Sequence, residues 1–347
     1  MLKLKDIAKQ AGVSSATVSL VLNNRAGVSA EKRAFITQLL KENNYIINSS
    51  ENEPRKKIRF IKFSKHSFLV NGNPGFVNHI MDAVEEECRA RNIDLMITTA
   101  DINSFGNKEL QALYKSNPVD GMIVLGTEMQ PEDIAIVKGI SCPIVVVDNS
   151  MEYIPFSCVT MNNSTTIRNV ILYLYSIGHR RIGFLANRLP SCNCTARRKT
   201  FEATTQELGL DSTDLIYEVT PSLDGAFTDI NTMLRQGVKF PAAIVSNNDC
   251  IAIGAMRAFK EFGIDIPGDI SIFGFDDIDF SAVSTTPLST NRVSCKDMGF
   301  WAVRLVCDQM ERADMSTVKI HLNTSMIHRK SVIPFRPDGS YHPSVLV

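Results

Sequence analysis

Apolar residues recur at helical intervals along the first 45 positions, and the pattern then changes. Leu4, Ile7, Ala8 and Ala11 share one face of a short helix, and Gly12 supplies the permissive backbone of a sharp turn. Ser14 follows as a hydroxyl cap for a second helix, with Val18, Val21 and Leu22 facing inward and Ser15, Ala16, Ser19 and Leu20 outward. A third segment opens at Ser29, carries Glu31 near its positive end, and continues through Phe35, Ile36, Leu39 and Leu40 to Tyr45. Three short helices around one small core are predicted. The first two have the spacing of a helix-turn-helix, a unit that enters a DNA groove. The alternative is an ordinary amphipathic helix pair packed on the rest of the chain.

From Asn48 to Lys57 the chain is polar, and Pro54 forbids a continuous helix across it, which marks a domain boundary. Short apolar runs then alternate with amphipathic stretches. Strand-like Ile58–Phe63, Leu95–Thr98, Gly121–Leu125 and Ile144–Val147 are separated by helix-like Val77–Arg91, Lys108–Tyr114 and Glu132–Val137. After Val159 the alternation restarts with helix-like Ser164–Ile177, Thr195–Leu208 and Ile251–Phe262 between strand-like Ile182–Leu185, Ala242–Ser246 and Ser271–Phe275. Such alternation predicts parallel sheets covered on both faces. We therefore expect an α/β protein: an all-α headpiece followed by two doubly wound, Rossmann-like subdomains of about five units each, with a cleft at the strand ends.

At 347 residues, 44% of them apolar and 21% charged, the chain has the make-up of a soluble multidomain protein. Its formal charge is zero, but residues 1–60 hold eleven Lys/Arg against five Asp/Glu. The neutral total thus hides a basic head suited to phosphate. Eight scattered cysteines, the closest pair being Cys192 and Cys194, lack the spacing of a metal knuckle or redox motif, so reduced thiols and a cytoplasmic location are expected. No run reaches about 18 uninterrupted apolar residues, and no export or membrane signal is expected.

These residues resemble the lactose-repressor (LacI/GalR) family of bacterial transcription regulators. The resemblance is carried in the head by Asp6-Ile7-Ala8, Ala11-Gly12-Val13-Ser14, Thr17-Val18-Ser19, Asn23, Val28-Ser29 and Asn44-Tyr45. Further along it is carried by Ile177–Phe184, by Asn248-Asp249 with Ala252–Ala255, by Ile264–Asp277, and by Pro287–Thr290 with Met298-Gly299. It implies a core like a periplasmic sugar-binding protein, with crossovers near 160, 290 and 325, and a homodimer. The implied boundaries are a DNA-binding domain over 1–48 and a linker over 49–57. One core subdomain then takes 58–160 and 293–324, and the other 161–292 and 325–347.

The resemblance places base-reading positions on Ser15, Ala16 and Leu20, and phosphate-anchoring positions on Ser14, Thr17, Ser19 and Asn23. Ser15 makes only a nondiscriminating bond, and Ala16 and Leu20 can only pack, for instance on a thymine methyl. Each absent bidentate pair forgoes about 1–3 kcal/mol of base discrimination, so weak direct readout is expected. Relatives follow the headpiece with a short hinge helix that wedges a Leu into the minor groove. Here Ile46-Ile47-Asn48 is followed by Glu51, Glu53 and Pro54, which predicts a tether without a wedge.

Cleft positions implied by the resemblance fall on Phe76, Arg197, Asn248 and Asp276: an aromatic face, a guanidinium fork, an amide and a carboxylate that accepts from paired hydroxyls. They suit a small polar effector, whether sugar, sugar phosphate or nucleoside-like. Val293, Thr200 and Pro221-Ser222 depart from residues common in sugar-binding relatives, and the single tryptophan, Trp301, reads as core. Lys62, Lys65 and His66 read either as solvated strand-end charges or as contacts to an anionic effector. His179 reads as a turn residue, and Asp276, Asp277 and Asp279 fall short of a calcium loop. No nucleophile elbow, zinc motif or phosphate loop points to an enzyme or a cofactor. The expected partners are operator DNA, the effector and a second copy of the chain. A solute-binding protein and an effector-free regulator answering to a protein partner are the rival readings.

Overall fold

The computed structural model describes residues 3–23, 25, 27–43, 45, 55–66, 70, 72–101, 107–137, 139–152, 154–210, 212–312 and 314–336. Internal contacts divide the chain into two units, Met1–Lys56 and Lys57–Val347.

The first unit holds α1 (Leu4–Gln10), α2 (Ser15–Leu22) and α3 (Ala30–Glu42). Ile7, Ala8, Val18, Val21, Ile36 and Leu40 form its buried core, with Leu4, Ala11, Leu22, Leu39 and Tyr45 packed partly against it. Gly12 sits at φ +62°, the left-handed turn conformation its lack of a side chain permits. Of the apolar residues of α3, Ile36 and Leu40 are buried and Leu39 packs partly against the core, whereas Phe35 is 51% exposed. Of the wedge-free tether expected over 49–57, residues 49–54 lie outside the described residues.

The second unit is built on two parallel sheets. The first contains β1 (Lys57–Ser64), β2 (Asp94–Asp101), β3 (Gly121–Leu125), β4 (Ile144–Val147), β5 (Ser157–Met161) and β11 (Lys319–Leu322), in the order β11-β5-β4-β3-β1-β2. The second contains β6 (Ile182–Asn187), β7 (Ile216–Val219), β8 (Ala243–Ser246) and β9 (Ser271–Phe273), in the order β7-β6-β8-β9. Strands such as Gly-Met-Ile-Val-Leu in β3 and Ile-Val-Val-Val in β4 are buried at every position. Continuous apolar runs of this kind are what a sheet covered on both faces requires.

Seven helices of eight residues or more cover these sheets among the described residues: α4 (Pro74–Ala90), α5 (Asn107–Ser116), α6 (Asn163–Ser176), α7 (Cys192–Glu207), α8 (Leu223–Arg235), α9 (Asp249–Glu261) and, after the short α10 (Asp279–Val283), α11 (Cys295–Glu311). The 131–137 segment, read as an α-like stretch, is a tighter 3-10 helix. Proline opens α4 at its first position, where a missing N–H costs nothing.

Several elements went unread in the sequence, among them β5, β7, β11 and α8. Ile216-Tyr217-Glu218-Val219 is interrupted by the exposed Glu218 and lacks a continuous apolar run, and the second sheet has four strands where about five units were expected. The chain passes from the first sheet to the second after β5 and returns through β10 (Thr290–Arg292) into α11, which packs on α4, β3, β4 and β5. It then adds β11 to the first sheet and leaves it for β12 (Ser325–Ile327), which pairs antiparallel with β10. Three neighbouring chain passages thus connect the two lobes.

Candidate functional site

On α2 the buried Val18 and Val21 fix which face is presented outward. Ser14 caps the helix, its Oγ accepting from the Thr17 amide at 3.1 Å and lying 2.9 Å from the Thr17 hydroxyl. Asn23 closes the other end, its Nδ2 donating to the Ser19 carbonyl at 3.0 Å and the Ser19 hydroxyl at 3.3 Å. Ser15, Ala16 and Ser19 are exposed between these two pairs, and Leu20 is half-buried. A side chain at Gly27 would stand 3.9 Å from the Leu20 methyl, so Leu20 leans toward that turn. The strip is short, hydroxyl-rich and methyl-bearing, with its polar ends already oriented by bonds within the helix.

The second candidate site lies where the strands of both sheets end. β4 delivers Asp148, β8 delivers Asn247 and Asn248, β9 leads to Phe275 and Asp276, and α6 and α7 bring Asn163, Asn193 and Arg197. Arg197 organises the group. Its Nε donates to Asn163 Oδ1 at 2.7 Å, one terminal nitrogen donates to the Asn247 carbonyl at 2.6 Å, and the other lies 4.0 Å from Asp276 Oδ1. The guanidinium lies 3.5 Å from the centre of the Phe275 ring.

The bonds continue outward from there. Asn163 Nδ2 donates to Asn193 Oδ1 at 2.9 Å, and Asn193 Nδ2 donates to Asp148 Oδ1 at 2.8 Å. The Thr127 hydroxyl donates to the other Asp148 oxygen at 2.6 Å. From the first lobe, Asn73 Nδ2 donates to Asp276 Oδ2 at 2.8 Å. One buried polar chain therefore links the two lobes.

Of the four cleft residues expected, Arg197 and Asp276 meet, and Phe76 borders a cavity of about 430 Å³ with Asp276, Val293 and Cys295. Asn248 is used differently: its Oδ1 accepts from the Ile251 amide at 2.9 Å and caps α9. Its neighbour Asn247 is the buried one, with an Nδ2 that has no partner among the described residues.

The backbone at the carboxylates is strained. Asp148, Asp276 and Asp277 have φ of +63°, +114° and +60°, a region costly for residues with a side chain. Ion pairs of Asp277 with Arg292 and Arg329, each at 2.7 Å, hold the turn in place. Burial pushes the Asp148 carboxyl up to about 6 despite the Thr127, Arg197 and Asn193 contacts. It pushes Asp276 well above the usual carboxylate range, because one arginine at 4.0 Å does not offset full desolvation beside Asp249 and Asp148.

Residues 3–48 match the model of the bacterial regulatory proteins of the lacI family, and residues 171–332 match a periplasmic binding protein-like domain. The "HTH-type transcriptional repressor PurR" of Pasteurella multocida (strain Pm70) is 29% identical over 338 residues, covering 96% of this chain and 99% of the relative. The head is thus of the lacI type and is joined to a periplasmic binding protein-like core. The "Ribose operon repressor" of Escherichia coli (strain K12) is 27% identical over 344 residues, covering 95% of this chain and all of the relative. The fold is shared with a solved lac repressor dimer bound to operator and the anti-inducer ONPF, at a TM-score of 0.72 and 22% identity, over 95% of this chain and 98% of that one.

Against the family pattern, Asn73, Asp148, Asn163, Asn193 and Asn247 are the site residues that sequence reasoning missed. The available signal was position: Asp148 and Asn247 directly follow the apolar strands Ile144–Val147 and Ala243–Ser246, the ends at which parallel sheets bind ligands. Lys65 does not face the cleft as a free cation. Its Nζ pairs with Asp133 at 2.9 Å, while the Lys65 and His66 amides donate to the buried Glu128 carboxylate at 2.6 and 2.7 Å. Trp301, read as core, is 37% exposed on α11. His179 is buried, with Nε2 3.0 Å from the Ile333 carbonyl, and burial lowers its pKa. Among the described residues no cluster of His, Cys, Asp and Glu could hold a metal ion.

Asp249, also fully buried, accepts from the Ser281 and Thr290 hydroxyls at 2.6 Å each and is pushed by burial to about 6. A carboxyl whose folded pKa is raised contributes stability that is full below its unfolded value and is lost as pH rises through the folded value. Asp148 and Asp249 therefore make the second unit more stable near pH 5 than near pH 7.5. Urea unfolding at the two pH values should show this, with the difference reduced in Asp249→Asn. An equal pH response in wild type and variant would remove Asp249 as its source.

Proposed function

We propose that the protein is a homodimeric transcriptional repressor that binds operator DNA through α2 and whose operator affinity is set by a small polar effector between the two lobes. The observation that carries this is the buried Asn73–Asp276–Arg197 chain bridging the lobes of a chain with a lacI-family head. An effector that replaces the Asn73 amide at Asp276 changes how the lobes are held, which is the differential contact a conformational shift needs. Phe76 offers an apolar face, Arg197 a fixed cation, and Asp148 and Asp276 acceptors for paired hydroxyls. Two carboxylates against one guanidinium favour a neutral sugar or nucleoside-like effector over a sugar phosphate. The name of the ribose operon repressor relative fits the same range.

In this reading residues 1–48 bind DNA, 49–57 tether, and the lobes of 58–160 with 293–324 and of 161–292 with 325–347 form the effector core. Ser14, Thr17, Ser19 and Asn23 anchor phosphates, and Ser15, Ala16 and Leu20 face bases. Two headpieces on half-sites about 34–36 Å apart supply what one short reading strip lacks. The exposed Ile97, Phe280 and Val283 offer apolar area for the second copy. The role is binding, not catalysis. Among the described residues no helix is long and apolar enough to cross a membrane, and a cytoplasmic location suits an operator-binding protein.

Selection of bound fragments from the source genome by the full chain should return pseudo-palindromic sites beside a small set of genes. Calorimetry with a sugar, nucleoside and sugar-phosphate panel should then give heat with a neutral member and a change in operator affinity. No heat and no change across the panel would instead favour a core answering to a protein partner. Leu20→Arg should alter base preference at one position of each half-site by about 1–3 kcal/mol. An unchanged preference would mean that Leu20 does not face bases.

A further inference from the structure

A cavity of about 660 Å³ lies outside the Arg197 chain. One wall is α7 and the start of α6, in the second lobe. The other is Gln130-Pro131 and the turn Ser150–Ile154, in the first. The residues α7 contributes, Cys192, Thr195, Ala196, Lys199, Thr200, Ala203 and Thr204, recur at three- and four-residue intervals and so form one helix face. Asn193, Arg197 and Phe201 are buried on the other face of the same helix. The opposing turn is shared too: Asp148 points to the Arg197 chain, whereas Met151, Glu152 and Ile154 line the outer cavity. Lys319 pins that turn by donating to the Met151 and Ile154 carbonyls at 2.7 and 2.9 Å. The outer cavity and the buried Arg197 chain thus lie on opposite faces of α7 and share the β4–β5 turn.

We infer that this outer cavity is a second ligand site, taking a small organic anion with an apolar ring or chain. Pro131, Met151, Ile154 and Ala196 provide apolar wall for the body of such a ligand. Lys199 is exposed at the wall with no carboxylate in ion-pair range among the described residues, while Arg168, paired with Glu207, closes the rim. The Ser164, Thr165 and Thr195 hydroxyls supply donors beside Lys199. Glu152 on the facing lip is the one acidic side chain lining the cavity, so an anion seats toward α7 and not toward the turn. Binding here engages both lobes at once, and on the effector-binding reading above it couples to the inner cleft through the shared elements.

The test uses the full chain and 8-anilinonaphthalene-1-sulfonate, an aryl sulfonate that fluoresces when desolvated. Saturable fluorescence is expected, with slowed amide exchange in peptides spanning 148–154 and 192–200. The dissociation constant should rise about tenfold in Lys199→Glu and in Ala196→Phe, one removing the cation and the other filling the wall. The sulfonate-free N-phenyl-1-naphthylamine should bind more weakly than the sulfonate. Affinity unchanged in both variants, or protection confined to other peptides, would overturn the site. Equal affinity for the two dyes would overturn its anion preference. Neither outcome depends on the inner cleft binding an effector, so failure here and failure there are distinguishable.

Discussion

Arg197→Met should lower the unfolding free energy of the second unit by about 3–5 kcal/mol, the cost of removing one partner from a buried charged pair. The substitution keeps much of the side-chain volume but leaves Asp276 with no cation near it, and it strips Asn163 Oδ1 and the Asn247 carbonyl of their donors. Because Asp276 is already held well above its ordinary pKa by burial, part of the loss is recoverable by protonation, so the deficit should shrink toward pH 5. Two further variants separate the causes. Arg197→Lys keeps the charge but not the planar fork, and should lose less than Met. Arg197→Met with Asp276→Asn removes both charges and should regain part of the stability lost by Arg197→Met alone. Denaturant unfolding measures all three, and a double variant no more stable than Arg197→Met would show that the unpaired carboxylate is not the cause.

The second large effect is at Gly299. A Cβ there would stand 2.5 Å from Ala83 Cβ and 2.7 and 2.8 Å from the Ala83 carbonyl carbon and the Val84 nitrogen of α4. Two of these contacts are backbone and cannot rotate away. Gly299→Ala gains helix propensity worth about 1 kcal/mol, yet it should be destabilising, because α11 and α4 must move apart. Gly299→Leu should exceed the about 1–3 kcal/mol typical of overpacking. Adding Ala83→Gly to Gly299→Ala should rescue only part of the loss, since the backbone contacts remain. Full rescue would place the clash in the Ala83 methyl alone. The displacement is functional as well as structural: α4 carries Phe76 and starts one residue after Asn73, so effector affinity should fall alongside stability.

How much of this was legible beforehand differs between the two units. In the headpiece the three helices, the turn at Gly12 and the Ser14 cap follow from local spacing, because each depends on residues within about four positions of one another. That Ile36 is covered and Phe35 is not was left open, because a one-residue shift on a helix changes its face by about 100°, and only the partner helices decide which neighbouring apolar position is covered. In the core, uninterrupted apolar runs such as Ile144–Val147 announced buried parallel strands. β7, equally short but broken by the exposed Glu218, carried no comparable pattern.

The cleft shows the same division. Arg197 and Asp276 were readable from the family pattern around them, whereas the five bridging residues Asn73, Asp148, Asn163, Asn193 and Asn247 were not. They come from both lobes, and each acquires its role only by meeting partners far along the chain, such as Asn73 with Asp276. Asn248 was read as a cleft residue for its amide. The structure gives it an N-cap's work, because the first turn of α9 presents an unpaired amide three residues on.

The sequence by itself determined the headpiece, the alternation that demands parallel sheets, the basic head and the family, since all of these are periodic or local properties of the chain. Only the tertiary structure decided which strand ends converge, which carboxylates lose their water, and that α7 offers one face to the inner chain and the other to an outer cavity. Those are consequences of long-range closure. Hydrogen-bond pairing in the cleft joins residues 21 to 203 positions apart, and no local pattern records it.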